Sequence, residues 1–144
     1  MKRRDFLLDA CIACTAGLAG LMTACTSYHY VTAKMVTDGL LIPIDLLKPA
    51  KEQRNFFIVR HEQLRFPVAV FRLDEATYTA LWMQCAHQGA ELQVAGNQLV
   101  CPAHGSEYDR NGKVTQGPAV RDLRKFPVSI TGSDLFIDLR KARS

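Results

Sequence analysis

The chain has 144 residues, enough for one domain and too few for a second full core. Apolar residues make up 48% of it and charged residues 22%, the range of ordinary globular chains. The formal net charge is only +4, the basic residues are mixed with acidic ones, and no Lys/Arg patch is interleaved with aromatics, so nucleic acid is not an expected partner.

In chain order, the first segment reads as an address. Lys2-Arg3-Arg4-Asp5 opens onto Phe6-Leu7-Leu8, and after Asp9 no charge occurs until Lys34. A charged start followed by the small apolar run 10–24 is the pattern of an export signal. That run is about fifteen residues, short of the roughly 20 that a spanning helix needs. Arg3-Arg4 followed by Phe6-Leu7 resembles a twin-arginine signal, and such systems export proteins already folded, often with a cofactor inside. Met22-Thr23-Ala24-Cys25 resembles a bacterial lipobox. The resemblance implies cleavage before Cys25 and a lipid on that cysteine, with an uncleaved N-terminal anchor as the alternative. Cys11 and Cys14 form a C-x-x-C inside the apolar run and are read as small apolar filler. The expected organisation is an export signal over 1–24, a polar tether over 25–38 and a folded domain over 39–144.

The domain reads as short strands with turn signals between them. Strands are expected over Leu40–Leu46, Asn55–Arg60, Pro67–Leu73, Tyr78–Gln84, Ala90–Val94 and Gln98–Val100. Further ones are expected over Glu107–Asp109, Lys113–Thr115, Arg124–Ile130 and Leu135–Leu139. Ala95-Gly96-Asn97, Arg110-Asn111-Gly112 and Thr131-Gly132-Ser133-Asp134 carry turn chemistry. No segment keeps a 3.6-residue apolar period, so the fold class is all-β. His29, His61 and Trp82 have no motif around them, and the tail from Arg140 to Arg143 is expected to be solvated.

Cys85-Ala86-His87 and Cys101-Pro102-Ala103-His104 form C-x-H…C-x-x-H, with thirteen residues between the halves. Two thiolates and two imidazoles suit either zinc or an iron–sulfur cluster. Each half supplies one Cys and one His, each is followed by loop formers (Gln88-Gly89 and Gly105-Ser106), and a hairpin at Ala95-Gly96-Asn97 lets the halves converge. These features favour a cluster in which one iron takes both thiolates and the other both imidazoles. A zinc-stabilised binding module without redox activity, or a simple Cys85–Cys101 disulfide, would leave the spaced histidines unexplained.

Cys85 to Gly89 resembles the first cluster-binding loop of Rieske proteins, and Cys101-Pro102-Ala103-His104-Gly105-Ser106-Glu107-Tyr108-Asp109 the second. Gly117-Pro118-Ala119 resembles their proline loop. The resemblance implies the Rieske fold, an antiparallel β base with a cluster-binding subdomain inserted at about 84–119. It implies a 2Fe-2S cluster on Cys85, His87, Cys101 and His104, tuned upward in potential by hydrogen bonds from Ser106 and Tyr108 to sulfur. It also shows a departure. Quinol-oxidising members usually carry a bracing disulfide, and Ala90 and Ala103 stand at its two positions.

The function expected is that of a one-electron carrier tethered on the periplasmic side of a bacterial cytoplasmic membrane. Its partners would be a redox donor and acceptor, such as a cytochrome or an oxidoreductase subunit. The alternatives are the Rieske subunit of a cytochrome bc-type quinol oxidoreductase, with quinol as reductant, and the small subunit of a molybdenum oxidase of the arsenite-oxidising kind.

Overall fold

The computed structural model describes residues 28–47 and 55–140. Arg3, Arg4, Cys11, Cys14, Cys25 and the end of the tail lie outside the described residues, as does the boundary at residue 24. The described fold is nearly all-β, as expected. Thirteen strands form three sheets, with one 3-10 turn at Ile44–Leu47.

Two sheets make the base. The first contains β1 (Tyr30–Thr32), β4 (Phe56–Arg60), β5 (Val68–Arg72), β6 (Tyr78–Trp82) and β11 (Lys125–Phe126), in that spatial order. The second contains β12 (Val128–Thr131), β13 (Asp134–Asp138), β3 (Gly39–Pro43) and β2 (Lys34–Val36). Only Ala33 separates β1 from β2, and only Pro127 separates β11 from β12. One strand run thus passes between the sheets at each side, and the base closes on itself, with bends at its corners. Pro127 has no N–H for a ladder, so it suits a corner, and its carbonyl accepts Asp138 N–H at 2.9 Å.

Here the structure corrects the tether expected over 25–38. Residues 30–36 are strands, parallel to β4 on one side of Ala33 and antiparallel to β3 on the other. Val31 and Ala33 are buried while Thr32 and Lys34 are exposed, a short alternation that fixes which face turns inward. Three other expected strands differ. The first ends at Pro43, where the 3-10 turn begins, the one expected over Ala90–Val94 is observed only as Gln93–Ala95, and the run Arg124–Ile130 is divided at Pro127. Arg140 is not simply solvated, since its guanidinium pairs with Asp138 at 3.0 Å and Asp38 at 3.3 Å.

The central sheet has a core on each side. Phe57, Val59, Val68, Val70 and Ala80 face the base interior with Leu40, Ile42, Leu135 and Ile137. The intervening residues Ile58, Ala69, Phe71 and Leu81 face the other way, against Leu92, Val94, Leu99 and Tyr108. Burial of both faces explains why β4 to β6 are nearly continuous apolar runs.

The second core belongs to the third sheet, inserted between β6 and β11. Its order is β10 (Val114–Gln116), β9 (Glu107–Asp109), β8 (Gln98–Val100) and β7 (Gln93–Ala95), all antiparallel. Thr79 Oγ1 donates to Arg110 O at 2.7 Å, tying this insertion to the central sheet. In the β9–β10 turn, Asp109 Oδ1 accepts the N–H groups of Asn111 at 2.8 Å and Lys113 at 2.9 Å.

Candidate metal centre

The two sequence halves become two loops of matching backbone design. In the first, Cys85 N–H donates to Ala90 O at 2.8 Å and Gly89 N–H donates to Cys85 O at 2.9 Å. In the second, Cys101 N–H donates to Ser106 O at 2.8 Å and Gly105 N–H to Cys101 O at 3.0 Å. Each loop turns on a glycine with positive φ, +79° at Gly89 and +81° at Gly105, a region costly for residues with a Cβ. The loops leave β6 and β8 at the same end of the insertion and face one another.

Their side chains separate by depth. Cys85 is 3% exposed and Cys101 1%, and both are free thiols. His87 and His104 are exposed, with ring centroids 5.0 Å apart and planes at 88°. Among the described residues, no three His, Cys, Asp or Glu side chains gather as around a single metal ion. The four donors instead form a buried thiol pair and an outer imidazole pair. That division of soft and borderline donors fits a two-iron cluster with sulfur ligands inside and imidazoles outside.

Tyr108 lies beneath the first loop, fully buried. Its oxygen accepts Ala86 N–H at 3.1 Å and lies 3.3 Å from Cys85 Sγ. With a cluster bound, Cys85 sulfur would be a thiolate that only accepts, and the phenol proton would then be the donor to it. Burial first, and then the contact with Cys85, push the Tyr108 hydroxyl far above the ordinary tyrosine range. It therefore remains a donor at neutral pH. Burial opposes ionisation of Cys85, but hydrogen bonds from Tyr108, the His87 N–H, Cys101 and Ser106 outweigh it and hold the thiol below its ordinary range.

Ser106 is also fully buried, and its Oγ accepts Ala119 N–H at 3.0 Å. This bond joins the second loop to the Gly117-Pro118-Ala119 segment. Ala119 is buried there, while Gly117 and Pro118 are exposed at the rim. The structure thus brings together all nine described residues singled out from the sequence.

Three further residues had no sequence signal. Gln116 Nε2 donates to Gly105 O at 3.1 Å, and Arg121 donates to Ala86 O at 3.4 Å. Both partners are backbone carbonyls, which no motif encodes. Tyr28 O–H donates to Val94 O at 3.2 Å, fixing the start of the described chain to β7.

Residues 44–127, more than half of the chain, match the Rieske [2Fe-2S] domain, and the chain belongs to that family. It accordingly carries a Rieske-type 2Fe-2S cluster and is an iron–sulfur electron carrier, which sets the zinc-module reading aside. It is 38% identical over 55 residues to the cytochrome b6-f complex iron-sulfur subunit of Synechococcus elongatus, covering 37% of this chain and 31% of that protein. The same figures hold for that subunit from Thermosynechococcus vestitus. Among solved structures it resembles the cyanobacterial plasma membrane Rieske protein PetC3 from Synechocystis PCC 6803. The TM-score is 0.51 and the identity 26%, over 58% of this chain and 86% of that one. Among the described residues no helix is long and apolar enough to cross a membrane.

Proposed function

We propose that this protein is an exported, membrane-tethered one-electron carrier, with Cys85 and Cys101 holding one iron of the cluster and His87 and His104 the other. The observation that carries this reading is the buried thiol pair beneath two exposed imidazoles in contact. When bound, a cluster of this type exchanges single electrons at roughly −150 to +300 mV, well above all-cysteine clusters of the plant type. Two thiolates leave the oxidised centre near neutral, so an electron is accepted in a low-dielectric site at less cost. The proton on Tyr108 then strengthens its bond to Cys85 sulfur as negative charge grows there. His87 and His104 are exposed, which leaves the imidazole side of the centre open to a redox partner.

The test is a redox titration of the holoprotein followed by EPR. A single one-electron transition within roughly −150 to +300 mV is expected; a potential as low as that of an all-cysteine cluster of the plant type would refute the mixed ligand set. Replacing Cys101 by Ser, or His104 by Ala, should abolish the rhombic EPR signal of the reduced cluster.

Export and attachment rest on Arg3-Arg4 and on Met22 to Cys25, which support a lipid-anchored protein on the periplasmic face. Mass spectrometry of the protein recovered from membranes should find the chain beginning at a diacylated Cys25; recovery of Met1 would reject cleavage. A second reading, the Rieske subunit of a quinol-oxidising cytochrome complex, is favoured by the names of the cyanobacterial relatives. Copurification with a b-type cytochrome would support it. Ala90 and Ala103, in place of a bracing disulfide, weigh toward the free carrier.

A further inference from the structure

A cleft of about 790 Å3 opens beside the first loop, bounded on the far side by residues 120–124. Trp82 and Gln84 line it, and His87 stands at its margin. The Trp82 ring is held edge-on by Phe66 and Phe126, each with centroids 5.8 Å away, and its Nε1–H donates to Gln84 Oε1 at 3.0 Å. This side of the cleft is therefore rigid.

Two guanidinium groups border it. Arg121 reaches back to the carbonyl of Ala86, and Arg124 lies over the Phe126 ring at 5.1 Å. Neither is in an ion pair among the described residues. One carboxylate, Asp122, also lines the cleft, where its Oδ1 accepts Val114 N–H at 3.0 Å, so the two guanidinium groups leave the lining net positive. Val120 lines the same cleft and is 88% exposed, the most exposed large apolar side chain among the described residues.

We infer that this cleft docks an acidic surface segment of the protein that exchanges electrons with this one, with Arg121 and Arg124 meeting its carboxylates. Val120 supplies an apolar contact in the same cleft, and His87 offers the shortest path for the electron. An apolar contact flanked by fixed cations suits a protein surface better than a free anion, because both features can be matched at once. The transfer makes and breaks no bond; one electron leaves the reduced carrier as the one-electron centre of the partner is reduced. The inference rests on the proposed role of His87 as a cluster ligand.

The test uses holoprotein whose cluster is verified by EPR, with decaglutamate as the probe and fluorescence of Trp82, the sole tryptophan, as the signal. Native protein should bind decaglutamate saturably, and bind free glutamate far more weakly at the same carboxylate concentration. Arg121→Glu and Arg124→Glu should each weaken binding at least about fivefold at low ionic strength, whereas Lys34→Glu, an equal charge change on the base, should leave it near native. The rate of oxidation by hexacyanoferrate(III) should fall in the two arginine variants while that by tris(phenanthroline)cobalt(III) rises. A shifted midpoint potential would move both rates the same way. Equal effects of Lys34→Glu, no binding by native protein, or equal binding of free glutamate would overturn the inference. Absence of the EPR signal from native protein would instead remove the cluster-ligand reading beneath it.

Discussion

Tyr108 is the residue on which the electronic character of the site turns. Its buried oxygen accepts the Ala86 N–H and lies 3.3 Å from Cys85 sulfur, so its single proton is placed to bond a sulfur that can only accept, as a metal-bound thiolate would. Tyr108→Phe should lower the midpoint potential by on the order of 50 mV, the equivalent of one modest hydrogen bond for a one-electron couple. Redox titration of the holoprotein measures this, and an unchanged potential would refute the directed bond. The hydroxyl also predicts a pH effect. Its pKa is raised in the fold, so the folded state keeps a proton that the unfolded state loses above about pH 10. Its stability is therefore intact below that pH and declines above it. Alkaline unfolding followed by circular dichroism should show part of that decline missing in Tyr108→Phe. The positions of Cys85, His87, Cys101, His104, Ser106 and Tyr108 were all legible in the sequence, because each sits in a motif a few residues long. Arg121 was not, since its partner is a carbonyl thirty-five positions away.

At the scale of elements, two glycines separate two kinds of constraint. Gly105 has φ +81°, and a Cβ there would meet nothing within 4 Å, so its constraint is conformational alone. Gly105→Ala should cost about 1–2 kcal/mol, measurable by denaturant unfolding of the holoprotein. Gly39 sits in β3, and a Cβ there would run into the carbonyl oxygen of Ile137 on β13. Gly39→Ala should cost about 2–3 kcal/mol by forcing those strands apart. A smaller loss there than at Gly105 would contradict the close packing. The strands of the central sheet were legible as apolar runs, and the turns as glycine-bearing clusters. The strand breaks were less so. Proline can open, end or bend a strand, and only the opposing sheet decides that Pro43 ends one run and Pro127 turns another.

For the whole molecule, closure of the base depends on its first two strands. The alternation from Val31 to Lys34 is four residues long, too short to distinguish from a polar linker before the sheet edges beside it are known. Deleting the chain through Val36 should uncover β4 and β3 together and replace a cooperative thermal transition by aggregation. A cooperative melt retained by that truncation would show that the base does not need them. The chain approaches the base from the side of the insertion, where Tyr28 is bonded to Val94 and packs on the core shared with Tyr108. Cys25 is three residues before Tyr28, a reach of at most about 11 Å even when fully extended. With a lipid on Cys25, the side of the molecule that carries the insertion would be held near the bilayer surface, on a leash too short for the domain to swing between distant sites. Electron delivery would then depend on lateral diffusion, with carrier and partner meeting as two bodies drifting in the plane of one membrane.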